Sequence, residues 1–146
     1  MLSPDQIREL NEAYARDFNG HDAQAIRQYY ADEVNFTSAG NPEPITDPDL
    51  IPGNIAPMFV AFPDLQVEFL DDFSEGLYNA HHWEMRGTHT GPLGPAPNSD
   101  AGAVAPTGKP VKLRGLTMMI FNEDGKIVDD HTYFDPTSVN RQLGLA

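Results

Sequence analysis

The sequence predicts an α+β fold in which two or three helices come first and a run of antiparallel strands bends around them. Three observations carry this. Apolar residues recur at helical spacing as far as residue 30. After Pro63 the period changes to two. The later strands are separated by hairpin-type turns rather than by helices, which favours antiparallel pairing with the helices gathered on one face. The 146 residues are one domain's worth and enough for a real core. No repeat or linker divides residues 1–146.

The elements follow in order. Ser3-Pro4-Asp5-Gln6 reads as an N-cap, a first-turn proline and a capping box. Ile7, Leu10, Tyr14 and Phe18 then share one helical face, and Asn19-Gly20 ends the helix. Asp22 caps a second helix with an apolar stripe of Ala25, Ile26, Tyr29 and Tyr30, and a short strand over 34–37 follows. Asp47-Pro48 starts a third helix. Pro52, Gly53 and Pro57 predict that it is short, kinked or broken, ending near Phe62, because an internal proline removes a donor and clashes with the preceding turn. Leu65, Val67 and Phe69 alternate with Gln66 and Glu68 in a half-buried strand, and a turn at 74–76 leads to a long strand over 78–90. Residues 91–110 form a Gly/Pro/Ala/Ser-rich loop. Strands over 111–121 and 126–134 flank the Asn122-Glu123-Asp124-Gly125 turn, and a short helical tail ends at Leu143.

Composition narrows the function. Nine Lys and Arg face 22 Asp and Glu, a net charge of −13. Such a surface repels phosphate backbones and anionic lipids, so neither nucleic acid nor a membrane is an expected partner. The N-terminus has no basic region followed by an apolar run, and cysteine is absent, which suits a reducing cytoplasm. Without cysteine there is no thiolate nucleophile and no thiolate metal site. Asp129, His131 and Asp135 offer one histidine and no second ligand pattern, so no metal is expected. No phosphate-binding glycine motif, Gly-x-Ser-x-Gly elbow or nucleotide fingerprint occurs.

Five segments occur in order: Ala61-Phe62-Pro63-Asp64-Leu65, Gly87 to Leu93 (Gly-Thr-His-Thr-Gly-Pro-Leu), Pro106-Thr107-Gly108-Lys109-Pro110-Val111, Gly125-Lys126-Ile127-Val128, and Arg141-Gln142-Leu143-Gly144. With these the chain resembles the SnoaL-like polyketide cyclases of the NTF2-like superfamily, over nearly its whole length. The resemblance implies a cone: a curved antiparallel sheet wrapping about three N-terminal helices around an apolar pocket, often as a homodimer. It also implies metal- and cofactor-free acid–base chemistry on a small hydrophobic, natural-product-like molecule. A gapless alignment puts the cyclases' catalytic aspartate position on Thr132, and their pocket Gln and His on Leu116 and Met118. A threonine hydroxyl is no proton acceptor near neutral pH, so the family's site is not carried unchanged. The stretch 95–105 is longer than the usual loop and is either a lid or a surface excursion.

Strand alternation supplies the candidates. Asp130 shares a face with Val128, Thr132 and Phe134. Among apolar neighbours its pKa should rise, making it the first choice as acid or base; a solvated carboxylate at the cone mouth is the alternative. His89, on one face with Trp83 and Met85, either assists proton transfer or pins the turn at 87–91. Leu116, Met118 and Ile120 are expected on Asp130's face, with Trp83, Met85, Phe134, Tyr14, Tyr30 and Phe59 as further pocket walls. His82, Glu84 and Arg86 alternate on the opposite face, as a cross-strand salt bridge ladder does. The enzyme reading is a cyclase, isomerase or hydratase/dehydratase with Asp130 moving the proton. The alternative is a non-catalytic binding protein for a lipophilic ligand. Both faces of the strand 111–121 are apolar, which calls for helices on one side and a partner subunit on the other.

Overall fold

A computed structural model describes residues 2–94 and 102–145. Helix α1 (Pro4–Asn19) starts as its capping box dictates: Ser3 Oγ accepts from the Gln6 amide at 3.1 Å, and the Gln6 side chain accepts from the Ser3 amide at 2.8 Å. One turn of α2 (Ala23–Ile26), capped by Asp22, runs through a 3-10 turn (Arg27–Tyr29) into β1 (Tyr30–Ser38). β2 (Asn41–Ile45) was not expected; two of its five residues, Pro42 and Pro44, cannot donate to a ladder. It lies at the edge of the sheet, where a strand tolerates missing donors. After a 3-10 turn (Pro48–Leu50), α3 (Ile51–Ala61) runs unbroken through Pro57. Strands β3 (Gln66–Glu75), β4 (Tyr78–Thr88), β5 (Pro110–Phe121) and β6 (Ile127–Tyr133) follow, then α4 (Pro136–Leu143).

The sheet order is β2-β1-β6-β5-β4-β3. The expected all-antiparallel pairing holds for β3 to β6, but β1 lies parallel to β6, so the sheet is mixed. Its concave face receives α1, which crosses β3, with α2 and α3 completing the helical layer. The core between them includes Ile7, Phe18, Ile26, Ile51, Ile55, Phe62, Met119, Phe121, Ile127 and Leu143. Of the stretch 95–105, residues 95–101 fall outside the described residues. Val104 pairs with Leu93 in an isolated bridge.

One irregularity resets the site. Phe121 pairs with Ile127, whereas Ile120 pairs with Asp129, so Val128 is an extra residue: a β-bulge. Beyond it, odd-numbered residues of β5 share a face with even-numbered residues of β6: Met119 opposes Asp130 and Thr117 opposes Thr132. A bulge-free hairpin would have paired Met118 with Asp130. Leu116 and Met118 therefore project from the convex face and are 44% and 39% exposed, not beside Asp130 as expected.

Candidate functional site

The site is built on the concave face. β6 presents Asp130 and Thr132, β5 presents Thr117 and Met119, and β4 presents Asn79, His81 and Trp83 in register beside them. β1 places Phe36 directly alongside Asp130, and α1 lowers Asn11 and Tyr14 onto the same surface, three residues apart on one helical face. Val67, Met85, Leu113, Thr132 and Phe134 are half-buried.

Asp130 is 2% exposed. Tyr30 Oη donates to its Oδ2 at 2.6 Å, and Tyr14 and Tyr30 share a hydrogen bond at 2.8 Å. Thr132 Oγ1 donates to Oδ1 at 3.4 Å, lies 2.9 Å from Thr117 Oγ1, and Thr117 accepts from Trp83 Nε1 at 2.9 Å. Since Trp83 is donor-only and Thr132 donates onward, the Thr117 hydroxyl must donate to Thr132. Two arms of donors therefore converge on one carboxylate. Burial still wins: it pushes the Asp130 pKa up to about 6, against the lowering effects of Tyr30, His131 and Thr132. Burial, reinforced by the Asp130 charge, pushes the Tyr14 and Tyr30 hydroxyls well above their usual range, so both remain protonated donors.

A second polar cluster adjoins the first. Asn79 Nδ2 donates to Asp72 Oδ1 at 2.9 Å and Ser74 Oγ at 2.8 Å, and Asn11 Nδ2 donates to Asn79 Oδ1 at 2.9 Å. His81 Nδ1 also meets Asn79 Oδ1 at 2.9 Å. A carboxamide oxygen only accepts, so His81 carries its proton on Nδ1 and leaves Nε2 as a bare lone pair. Burial lowers the His81 pKa to about 4, only partly offset by Asp72, so the ring is neutral at pH 7.

The remaining candidates fall as follows. Trp83 is buried, its ring lying over Gly115 and edge-on to Phe134 at 6.3 Å. Met85 sits on the concave face opposite Val67 and Leu113. Phe59 stacks on His21 at 4.4 Å and packs on Phe18, tying α3 to α1 rather than touching Asp130. His89 is not brought to Asp130. It lies ten residues along the chain from Asn79, the β4 member of Asp130's row, on the order of 30 Å of strand away. Its backbone bonds Lys109 and Gly108, its Nδ1 accepts from the Thr107 amide at 3.2 Å, and its ring faces Phe62. It pins the loop 106–109 against the end of α3. Gly91 belongs to the same junction: a Cβ there would strike the Val60 carbonyl.

On the convex face Glu84, 2% exposed, is ringed by Arg114 (2.8 Å), Arg86 (2.6 Å) and Lys112 (3.8 Å), the expected ladder. Arg114, then Arg86, hold its carboxyl below the usual range. His131 lies between Thr37 and Asp129, and Asp135 caps α4 and pairs with Arg141. Two surface clefts also occur. One of about 470 Å³ is lined by Asp64, Arg86, Lys112 and Gln142 among others, and one of about 370 Å³ lies between α3 and Pro92, Gly94 and Ala103. Neither includes Asp130. No helix among the described residues is long and apolar enough to cross a membrane.

A bent sheet closing on helices around a buried, proton-binding carboxylate defines a cone-shaped α+β protein of the NTF2-like class. The chain matches the SnoaL-like polyketide cyclases over residues 8–143 and belongs to that family. Solved structures agree. IdmH from Streptomyces antibioticus superposes with a TM-score of 0.76 at 24% identity, covering 95% of this chain and 99% of that one. A Catenulispora acidiphila protein of ketosteroid isomerase-like fold gives 0.73 at 17%, covering 94% of each. SalBIII, an epoxide hydrolase/cyclase-like enzyme, gives 0.74 at 15%, covering 94% and 97%. At these identities the likeness is one of fold. No curated protein matches the sequence.

Proposed function

We propose that the protein is a cofactor-independent acid–base enzyme of cyclase, isomerase or hydratase/dehydratase type, acting on a small hydrophobic, natural-product-like molecule. One observation carries this: a fully buried carboxylate whose pKa is raised to about 6, beside neutral donors. A general base works best with a pKa near the operating pH, and such a group contributes roughly 10²–10⁴-fold. Asp130 takes the proton. Tyr30 and Thr132 orient its oxygens. Thr132 stands where the family's catalytic aspartate would, so the carboxylate has moved two residues along the strand and the threonine serves it. Trp83, Met85, Leu113 and Phe134 shape the apolar wall. The family and SalBIII's cyclase-like description support cyclase-type chemistry. A lipophilic carrier would have no use for a carboxylate held at such cost.

Proton abstraction next to a carbonyl is the shared elementary step. The test is α-hydrogen exchange of 2-tetralone in D₂O. The wild type should accelerate exchange on the order of 10²-fold over buffer, with the rate rising through about pH 6 as Asp130 ionises. D130N should fall to the buffer rate. A wild type no faster than buffer, or a D130N variant as fast as wild type, refutes the assignment.

A further inference from the structure

Away from the interior, one end of the convex face carries charges that the proton transfer does not use. The cleft of about 470 Å³ lies where β5 extends beyond β6, whose last pairing is Tyr133 with Leu116. Gln142 of α4 stands in for the missing strand: its Oε1 accepts from the Lys112 amide at 2.8 Å and its Nε2 donates to the Lys112 carbonyl at 2.9 Å. The two ends of the cleft bear opposite charge. At one end Arg86 and Lys112 are cross-strand partners. Glu84 aims Arg86, accepting from Nε at 2.6 Å and lying 2.5 Å from Nη2, and Nη1 has no partner among the described residues. Lys112 Nζ stops 3.8 Å from Glu84, beyond hydrogen-bond distance. At the other end Asp64 is pinned, Oδ1 accepting from the Thr88 amide at 2.6 Å and Oδ2 from the Thr88 hydroxyl at 2.8 Å. These bonds hold its carboxyl below the usual range, and each oxygen keeps a lone pair for a further donor.

We propose that this cleft binds a linear zwitterion, an ω-amino carboxylate, with its carboxylate on Arg86 and Lys112 and its ammonium on Asp64. The span follows from the strand. Thr88, which holds Asp64, lies two residues beyond Arg86 and four beyond Glu84, toward which the guanidinium leans, so the charges are about 7 to 13 Å apart. The connecting chain is apolar. Pro110, opposite Thr88, has no donor, and the Gln142 carboxamide is already committed to Lys112. Net charge favours the zwitterion over a simple anion: the protein's −13 repels an anion, whereas a zwitterion carries no net charge.

Titration calorimetry at low salt, with 8-aminooctanoate, octanoate, octylamine and glycine, tests this. The wild type should bind 8-aminooctanoate roughly two- to fivefold more tightly than octanoate or octylamine, and should not bind glycine, whose charges are too close to reach both ends. D64N keeps an acceptor for the Thr88 amide and should bring 8-aminooctanoate down to the level of octanoate. K112Q should weaken both carboxylates and leave octylamine unchanged. In the wild type the amide resonances of Gly87, Thr88 and Lys112 should shift with 8-aminooctanoate, a readout that does not depend on any variant's folding. D130N should bind as the wild type does, which separates this cleft from the interior. Equal affinity of the wild type for 8-aminooctanoate and octanoate, a preference that survives in D64N, or resonance shifts confined to the surroundings of Asp130 overturns the proposal. So does a wild type that binds none of the four.

Discussion

Replacing Asp130 by asparagine should change how stability depends on pH. Folding raises the Asp130 pKa from 3.8 to about 6. At 1.36 kcal/mol per pH unit, ionising this group in the folded state costs about 3 kcal/mol more than in the unfolded chain. The sign follows. Below pH 3.8 both states hold the proton and the cost is absent. As pH rises toward and past 6 the folded state loses ground, until the full cost is reached. Asparagine does not ionise and escapes this cost. It leaves one of the two donors, Tyr30 or Thr132, without its acceptor, but that penalty does not vary with pH. His81 acts in the opposite sense, since its lowered pKa makes acid destabilising as pH falls from 6.5 toward 4, yet it does so in both proteins and cancels in the difference. The assay is urea unfolding followed by the fluorescence of Trp83, the one tryptophan, between pH 5.0 and 7.5, safely above the isoelectric point near 4.4. Over that window the stability of D130N relative to wild type should improve by about 1.4 kcal/mol. A difference that stays constant within about 0.5 kcal/mol shows that Asp130 titrates as an ordinary carboxylate. The catalytic argument would then fall as well.

Two further outcomes follow from packing. At Gly115 a Cβ would lie well inside van der Waals contact of the Trp83 ring and 2.8 Å from the Tyr133 carbonyl oxygen. G115A should therefore cost about 1–3 kcal/mol in chemical denaturation and shift Trp83 emission; a neutral substitution would mean that the ring does not rest there. The convex face exposes Leu116, Met118, Phe73, Tyr78 and Tyr133 on neighbouring strands, a patch suited to an isologous homodimer. Sedimentation at micromolar concentration should give a dimer and L116K a monomer; a monomeric wild type removes the proposal.

Much of the fold is readable because its signals are local. Ser3 and Gln6 write the start of α1, and Asp135-Pro136 writes the start of α4. Glu84 announces its convex position by alternating with His82 and Arg86. What escapes is either non-local or silent. The parallel pairing of β1 with β6 joins residues about a hundred apart in the chain, and no local pattern encodes it. The bulge at Val128 is silent because Ile127-Val128-Asp129-Asp130 offers two apolar residues and then two acids, which fit either register. β5 is apolar on both faces and cannot arbitrate. Asp130 was legible as the buried acid even so, because its own strand alternation holds beyond the bulge. His81 was missed, although the parity that carries Trp83 inward carries His81 with it. The more conspicuous His89, in its glycine-flanked segment, turns out to fasten a loop.

The two donor arms meeting at Asp130 are not equivalent. Along the threonine arm the hydrogens run from Trp83 through Thr117 and Thr132, and the indole at its origin can never become an acceptor. A hydroxyl oxygen accepts twice, however, so when Asp130 gains a proton either Thr132 or Tyr30 can turn its own hydrogen aside and accept from the acid. On the tyrosine arm the displaced hydrogen finds Tyr14 Oη 2.8 Å away; on the threonine arm Thr117 Oγ1, at 2.9 Å, can take it while still accepting from the indole. Both oxygens of the carboxylate can therefore be loaded and discharged without dismantling the network around them.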